Sequence, residues 1–132
     1  MGAATVDYNG LLTAINPIPG VNLLVAAGTQ TYTGVDVSSF IGVIKLTFVW
    51  AGAAADGTNS LQVSILDSAD NTTFAASSGL PTFAAMTATS GTASVGLDTR
   101  ACKQYIQGKL LTSSTTATFR CAMIGVGLAQ VI

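Results

Sequence analysis

The chain is 132 residues long, with five basic and six acidic side chains, no histidine and no glutamate. Its charged fraction of 8% and net charge of −1 fall far below the usual surface endowment of about 25% charged residues. Five scattered cations, Lys45, Arg100, Lys103, Lys109 and Arg120, exclude the clustered positive face that displaces counterions from a polyanion, so no direct nucleic-acid contact is expected.

One domain suits this length, and a chain of this size buries enough surface to hold a core without covalent staples. Interface centres are depleted of charge, whereas free monomers keep a mixed charged surface. The shortage of charge therefore favours a subunit covered by protein neighbours over a solitary monomer, and a homo-oligomer is the expectation. Met1 to Asp7 lack the basic and apolar regions of a secretion signal. No stretch reaches the roughly 20 apolar residues of a membrane helix. A chain made and folded in a cytoplasm, without membrane contact, is expected.

Residues 1–19 read as an irregular, extended arm. They hold the turn signals Asn9-Gly10 and Asn16-Pro17-Ile18-Pro19-Gly20, and proline does not serve a central strand. Tyr8, Leu11, Leu12 and Ile15 are the candidate anchors of this arm on a neighbouring subunit. Residues 20–132 read as a single β domain. Val21 to Ala27 and Thr29 to Val37 are expected strands divided by Gly28.

Phe40 to Trp50 is the strongest strand. Its even positions, Phe40, Ile44, Leu46, Phe48 and Trp50, supply core residues. Its odd positions, Ile41, Val43, Lys45, Thr47 and Val49, are also largely apolar. A strand apolar on both faces is covered on both, by its own fold or by a partner.

A small-residue loop with Asp56-Gly57 as its turn precedes another alternating run, Leu61, Val63 and Ile65. Asp67 to Thr73 is a polar turn, and Phe74 to Met86 an irregular stretch. Ala93, Val95 and Leu97 alternate up to Asp98. The last third reads as a hairpin turning at Ser113-Ser114. In that register Ile106 faces Cys121, with Cys102, Ile106, Leu110, Phe119, Cys121 and Met123 on a core face. Lys103, Tyr105, Gln107, Lys109, Thr118 and Arg120 take the solvent face. The two cysteines fall about four residues out of step there, too far to bridge at ~3.3 Å per residue, so free, buried thiols are expected. Many short strands joined by turns give an all-β fold, an antiparallel sandwich of jelly-roll type or a partly closed barrel.

Little chemistry is on offer. Without histidine there is no Ser-His or Cys-His couple. Two cysteines alone do not make a zinc site. Asp67 and Asp70 are the one close carboxylate pair, in a loop lacking the glycine and closing glutamate of a calcium hand. Side chains bonding their own backbone are expected there instead. No enzyme, cofactor or metal is expected. Trp50, Tyr105 and Tyr32 would stack on a sugar only if exposed together, and each has a structural reading.

Three segments carry a resemblance. Ile65-Leu66-Asp67-Ser68-Ala69-Asp70-Asn71-Thr72-Thr73-Phe74 resembles a strand-then-turn segment of small structural proteins from tailed-bacteriophage heads. Leu97-Asp98-Thr99-Arg100-Ala101-Cys102-Lys103-Gln104-Tyr105-Ile106 is similar to a second segment of the same proteins, and Ala122 to Gly127 to their closing strand. The match spans about residues 40–128 and departs at Cys102-Lys103-Gln104 and Gln107, where basic residues are commoner.

The resemblance implies a β-sandwich that decorates or cements a capsid shell by binding the major capsid protein, located on the virion surface. Read physically, Asp98, Arg100 and Tyr105 are corner residues: Asp98 and Arg100 lie on one side of an extended chain, placed to bridge. The competing expectations are a carbohydrate-binding or host-attachment module of a fibre or tail, and a small major coat protein.

Overall fold

The computed structural model describes residues 12–24, 28–53, 61–84, 86, 90–112 and 118–129. Eight strands form in chain order: β1 (Leu12–Leu24), β2 (Gly28–Thr31), β3 (Val35–Asp36), β4 (Phe40–Ala53), β5 (Leu61–Ser68), β6 (Ser90–Asp98), β7 (Tyr105–Thr112) and β8 (Thr118–Ala129). Among the described residues there is no helix, and so none long and apolar enough to cross a membrane.

The strands make two antiparallel sheets. The first has the order β1-β8-β4-β6. The second is centred on β7, with β2 and β3 end to end along one edge and β5 along the other. The segment of residues 75–84, with Met86, touches the far edge of β5 through three single bridges, Leu61 to Met86, Ser64 to Thr82 and Asp67 to Ala75. Taken as the last strand of the second sheet, this segment completes a jelly roll. The chain crosses between sheets as it does in that fold, and each sheet's order interleaves early and late strands. The molecule is thus a sandwich and not a closed barrel.

Period-two burial builds the core. In β4 the even residues Ile44, Leu46 and Phe48 are fully buried, and β5 contributes Leu61, Val63 and Ile65. Ile106 and Leu110 from β7 meet Phe119, Cys121 and Met123 from β8 in the space between the sheets. Phe48 stacks on Trp50 at 5.9 Å and meets the edge of Phe83 at 6.3 Å. Such aromatic pairs add to their area burial.

Two expectations need correction. Residues 12–19 are not an irregular arm but the first part of β1, paired with β8 from Leu12 opposite Leu128 onward. The expected boundary at 19/20 falls inside this strand. Its prolines are accommodated because β1 is an edge strand, and its register shifts between Ile15 and Ile18 and again between Ile18 and Val21.

The last third is not a hairpin either. β7 belongs to the second sheet and β8 to the first, so Ile106 and Cys121 do not share a ladder. The two strands face one another across the core. Their expected core residues are still inward: Ile106, Leu110, Phe119, Cys121 and Met123 are all buried, and Cys102 is half-buried. Both cysteines are free thiols. Burial pushes the Cys121 thiol up to about 11 and raises that of Cys102 as well.

Candidate functional site

The outer surfaces of the two sheets differ in chemistry. On the second sheet, β7 presents Tyr105, Gln107, Lys109 and Leu111 outward, beside Gln62 and Ser64 of β5 and Thr29 and Thr31 of β2. This face is mostly polar. Gln107 donates from Nε2 to the Tyr32 carbonyl at 2.7 Å. Tyr105 accepts from Gln104 Nε2 at 3.3 Å.

The first sheet is the opposite case. Seven large hydrophobic side chains are exposed among the described residues, and six of them, Leu12, Ile41, Val43, Val49, Ile124 and Val126, lie on its outer face. Val43 is 57% and Ile41 56% exposed. The register brings them together. Leu12 and Ile41 both flank Leu128, Lys45 is opposite Val126, Thr47 opposite Ile124, and Val49 opposite Ala122. Ala14 extends the patch beyond Val126. These are the odd residues of β4 and the even residues of β8, so period-two alternation sends them outward once their neighbours fill the core.

Charge is confined to one lysine within this face and to its ends. Lys45 stands among the apolar residues. Arg120 lies opposite Ala51 at one end, and Asp98 opposite Val43 at the other. Monomeric proteins rarely leave a contiguous apolar patch of this kind uncovered. An apolar centre with a polar rim is the anatomy of a protein interface.

The corner at Asp98 is built as the spacing suggests. Arg100 donates from Nε to Asp98 Oδ1 and from Nη2 to Oδ2, each at 3.2 Å, and its backbone N–H reaches Oδ1 at 3.0 Å. These bonds hold the Asp98 carboxyl below its usual range. Thr99 ties the corner to β4: its N–H and hydroxyl both donate to the Gly42 carbonyl, at 3.0 and 2.6 Å. Gly42 takes a positive φ of 77°, a conformation open to glycine, where the β4–β8 register shifts between Ile41 and Lys45. Tyr105 is not part of this corner. It sits on the outer face of the other sheet.

Of the proposed arm anchors, Tyr8 and Leu11 lie outside the described residues. Leu12 is 47% exposed on the apolar face, while Ile15 turns inward and packs against the core. The aromatic candidates are dispersed. Trp50 is half-buried on the inner face against Phe48, Tyr105 faces outward from the second sheet, and the Tyr32 hydroxyl is buried.

The loop at Asp67 to Thr73 separates its two carboxylates. Asp70 Oδ1 accepts from the backbone N–H of Thr72 at 2.9 Å and of Thr73 at 3.0 Å, and from Ser68 Oγ at 2.7 Å. This is the expected self-bonded turn, completed by Asn71 at φ 57°. Asp67 instead points into the protein, 1% exposed. Its Oδ2 accepts from the Lys103 N–H and from Ser77 Oγ, both at 3.1 Å. Sequence reasoning missed this role. The signal was present in the inward phase of Leu61, Val63 and Ile65, which continues to position 67.

Comparison with known proteins gives no relative: no family model, no curated protein and no solved structure matches the chain.

Proposed function

We propose that this chain is a structural protein of a tailed-bacteriophage virion, one that decorates or cements the capsid shell by adhering to major capsid subunits. The observation that carries this reading is the apolar outer face of the first sheet. It offers six large exposed hydrophobic side chains with a single lysine among them. Removing such surface from water contributes about 25 cal/mol per Å², and a shell multiplies the gain over many copies. The sandwich supplies a rigid platform, and the resemblance of the 65–74 and 97–106 segments to phage head proteins supplies the class of partner.

The sugar-binding reading is the weaker one. It needs aromatic side chains gathered on one exposed surface, and Trp50 and Tyr105 lie on different faces of different sheets.

Cryo-EM of purified particles of the phage encoding the chain tests the proposal directly. Density for a jelly-roll sandwich outside the shell, with β4 and β8 toward the capsid subunits, is expected. Binding of the purified chain to shells stripped of it should fall at least about tenfold for the double variant Ile41→Asp, Ile124→Asp. Both positions are exposed, so the monomer should keep its thermal midpoint. Shells devoid of the chain, or undiminished binding by the folded double variant, would overturn the reading.

A further inference from the structure

An exposed sheet edge is an open template for another strand, and folded proteins blunt such edges with proline, charge, bulges, short strands or a covering segment. Three of the four edges here are blunted in one of these ways. β1 carries Pro17 and Pro19 and two register shifts. The β2–β3 edge is split into pieces of four and two residues. The outer edge of β5 is covered by residues 75–84 and Met86, a segment that contains Pro81.

The fourth edge, β6, has none of these devices. It runs nine residues, Ser90-Gly91-Thr92-Ala93-Ser94-Val95-Gly96-Leu97-Asp98, with no proline and no charge before Asp98. It pairs with β4 without interruption, from Asp98 opposite Val43 to Ser90 opposite Ala51. Among the described residues no strand pairs with its other side. Its inward side chains Ala93 and Val95 pack on the core yet remain only half-buried.

We infer that β6 is a homotypic interface, joining two copies of this chain by antiparallel β6–β6 pairing about a two-fold axis at Ser94. Such an isologous contact requires a self-complementary strand, and β6 meets that requirement in this register. Ser94 falls opposite its own copy, Thr92 opposite Gly96, Ala93 opposite Val95, Gly91 opposite Leu97, and Ser90 opposite Asp98. Every residue of the strand finds a partner. The two carboxylates lie at opposite ends of the ladder, so no like charges oppose each other. The outward row Ser90, Thr92, Ser94 and Gly96 is small. The two first sheets become one eight-stranded sheet, and the apolar outer faces of both copies lie on the same side of it. The inference is independent of what that apolar face binds.

Sedimentation equilibrium of the purified chain tests it, with Ser94→Lys as the disrupting variant. That change places two like charges face to face at the axis, and in the monomer, among the described residues, it removes the exposed Thr47–Ser94 hydroxyl contact of 3.0 Å. The wild type should be dimeric, or a multiple of the dimer, at about 0.1 mM. Ser94→Lys should halve the mass while keeping the far-ultraviolet circular dichroism of the wild type.

Should Ser94→Lys fail to fold, Ser94→Cys in a Cys102→Ser background replaces it. Directly opposed Cβ atoms stand about 4.5–5.5 Å apart, near the reach of a disulfide, so mild oxidation should yield a covalent dimer that Cys102→Ser alone does not give. A monomeric wild type, an unchanged mass for folded Ser94→Lys, or no cross-link at Ser94→Cys would each overturn the inference. A wild-type monomer that captures an extended segment of another protein on β6 would likewise replace self-pairing with augmentation by a foreign strand.

Discussion

The carboxylate of Asp67 holds three segments of chain at one point: the end of β5, Ser77 in the following segment, and Lys103 before β7. Its Oδ1 is buried with no partner among the described residues, so there only Oδ2 does the tethering. Removing the side chain takes the acceptor from the Lys103 N–H and from the Ser77 hydroxyl in a part-buried setting. Asp67→Ala should therefore lower stability by about 1–3 kcal/mol in denaturant unfolding, and Asp67→Asn, which keeps an acceptor, by less. Equal losses for the two variants would show that the acceptor is irrelevant.

Asp70 behaves differently because it is solvent-exposed. The N–H of Thr73, the Ser68 hydroxyl and the N–H of Thr72 hold its carboxyl down to about 2, below its ordinary 3.8. A carboxylate depressed by folding contributes stability that is present above its unfolded value and lost as pH falls toward the folded one. The loss belongs between about pH 4 and pH 2, and the lowered Asp36 and Asp98 add to it in the same direction. Asp70→Asn should flatten this acid limb by lowering the thermal midpoint at neutral pH, and leave the acid end near pH 2 nearly unchanged. An acid limb as steep as that of the wild type would contradict the assignment.

At the scale of elements, close approach between sheets depends on glycine where β1 crosses β7. A Cβ on Gly108 would stand 2.5 Å from Ile18 Cγ1 and 2.8 Å from the Pro17 carbonyl oxygen. Ile18 is fully buried and the oxygen is backbone, so neither yields easily. Gly108→Ala should cost about 1–3 kcal/mol, in the range of overpacked cores, read as a lower urea midpoint with an unchanged slope. Wild-type stability would mean that β1 shifts away freely.

The same strand shows why its nature was hidden in the sequence. Asn16-Pro17 and Pro19-Gly20 are local turn signals, and they do interrupt the ladder, but pairing with β8 on both sides overrides them. β7 and β8 illustrate a second limit. Alternation states which side chains turn inward, and those of both strands were legible. It does not state whether two inward faces lie side by side in one sheet or opposite each other across a core. Both arrangements bury the same residues.

For the whole molecule, the shortage of charge has acquired a location. The polar side chains of β5 and β7 coat one sheet, while β1, β4 and β8 leave the other apolar. The shell-binding test and the edge-pairing test address different surfaces of that apolar sheet, its face and its rim. The predicted loss of binding in Ile41→Asp, Ile124→Asp therefore belongs to this scale: neither residue pairs with β6, so it should leave the β6 contact intact. The odd residues of β4 were legible as a face that its own fold or a partner must cover. That its own fold leaves them bare, and that residues of β8 and β1 join them, was not.

The sequence by itself determined the all-β class, the inward and outward side of most strands, the self-bonded turn at Asp70 and the Asp98–Arg100 bridge. Each of these follows from neighbours a few residues apart, where a period of two or a short side-chain reach is enough. The tertiary structure alone decided the order of strands in the two sheets, the passage of prolines through β1, the inward anchor at Asp67, the joined apolar face and the unprotected edge at β6. Those depend on which distant segments lie side by side, and backbone hydrogen bonding between strands carries almost no record of its partner in the residues that form it.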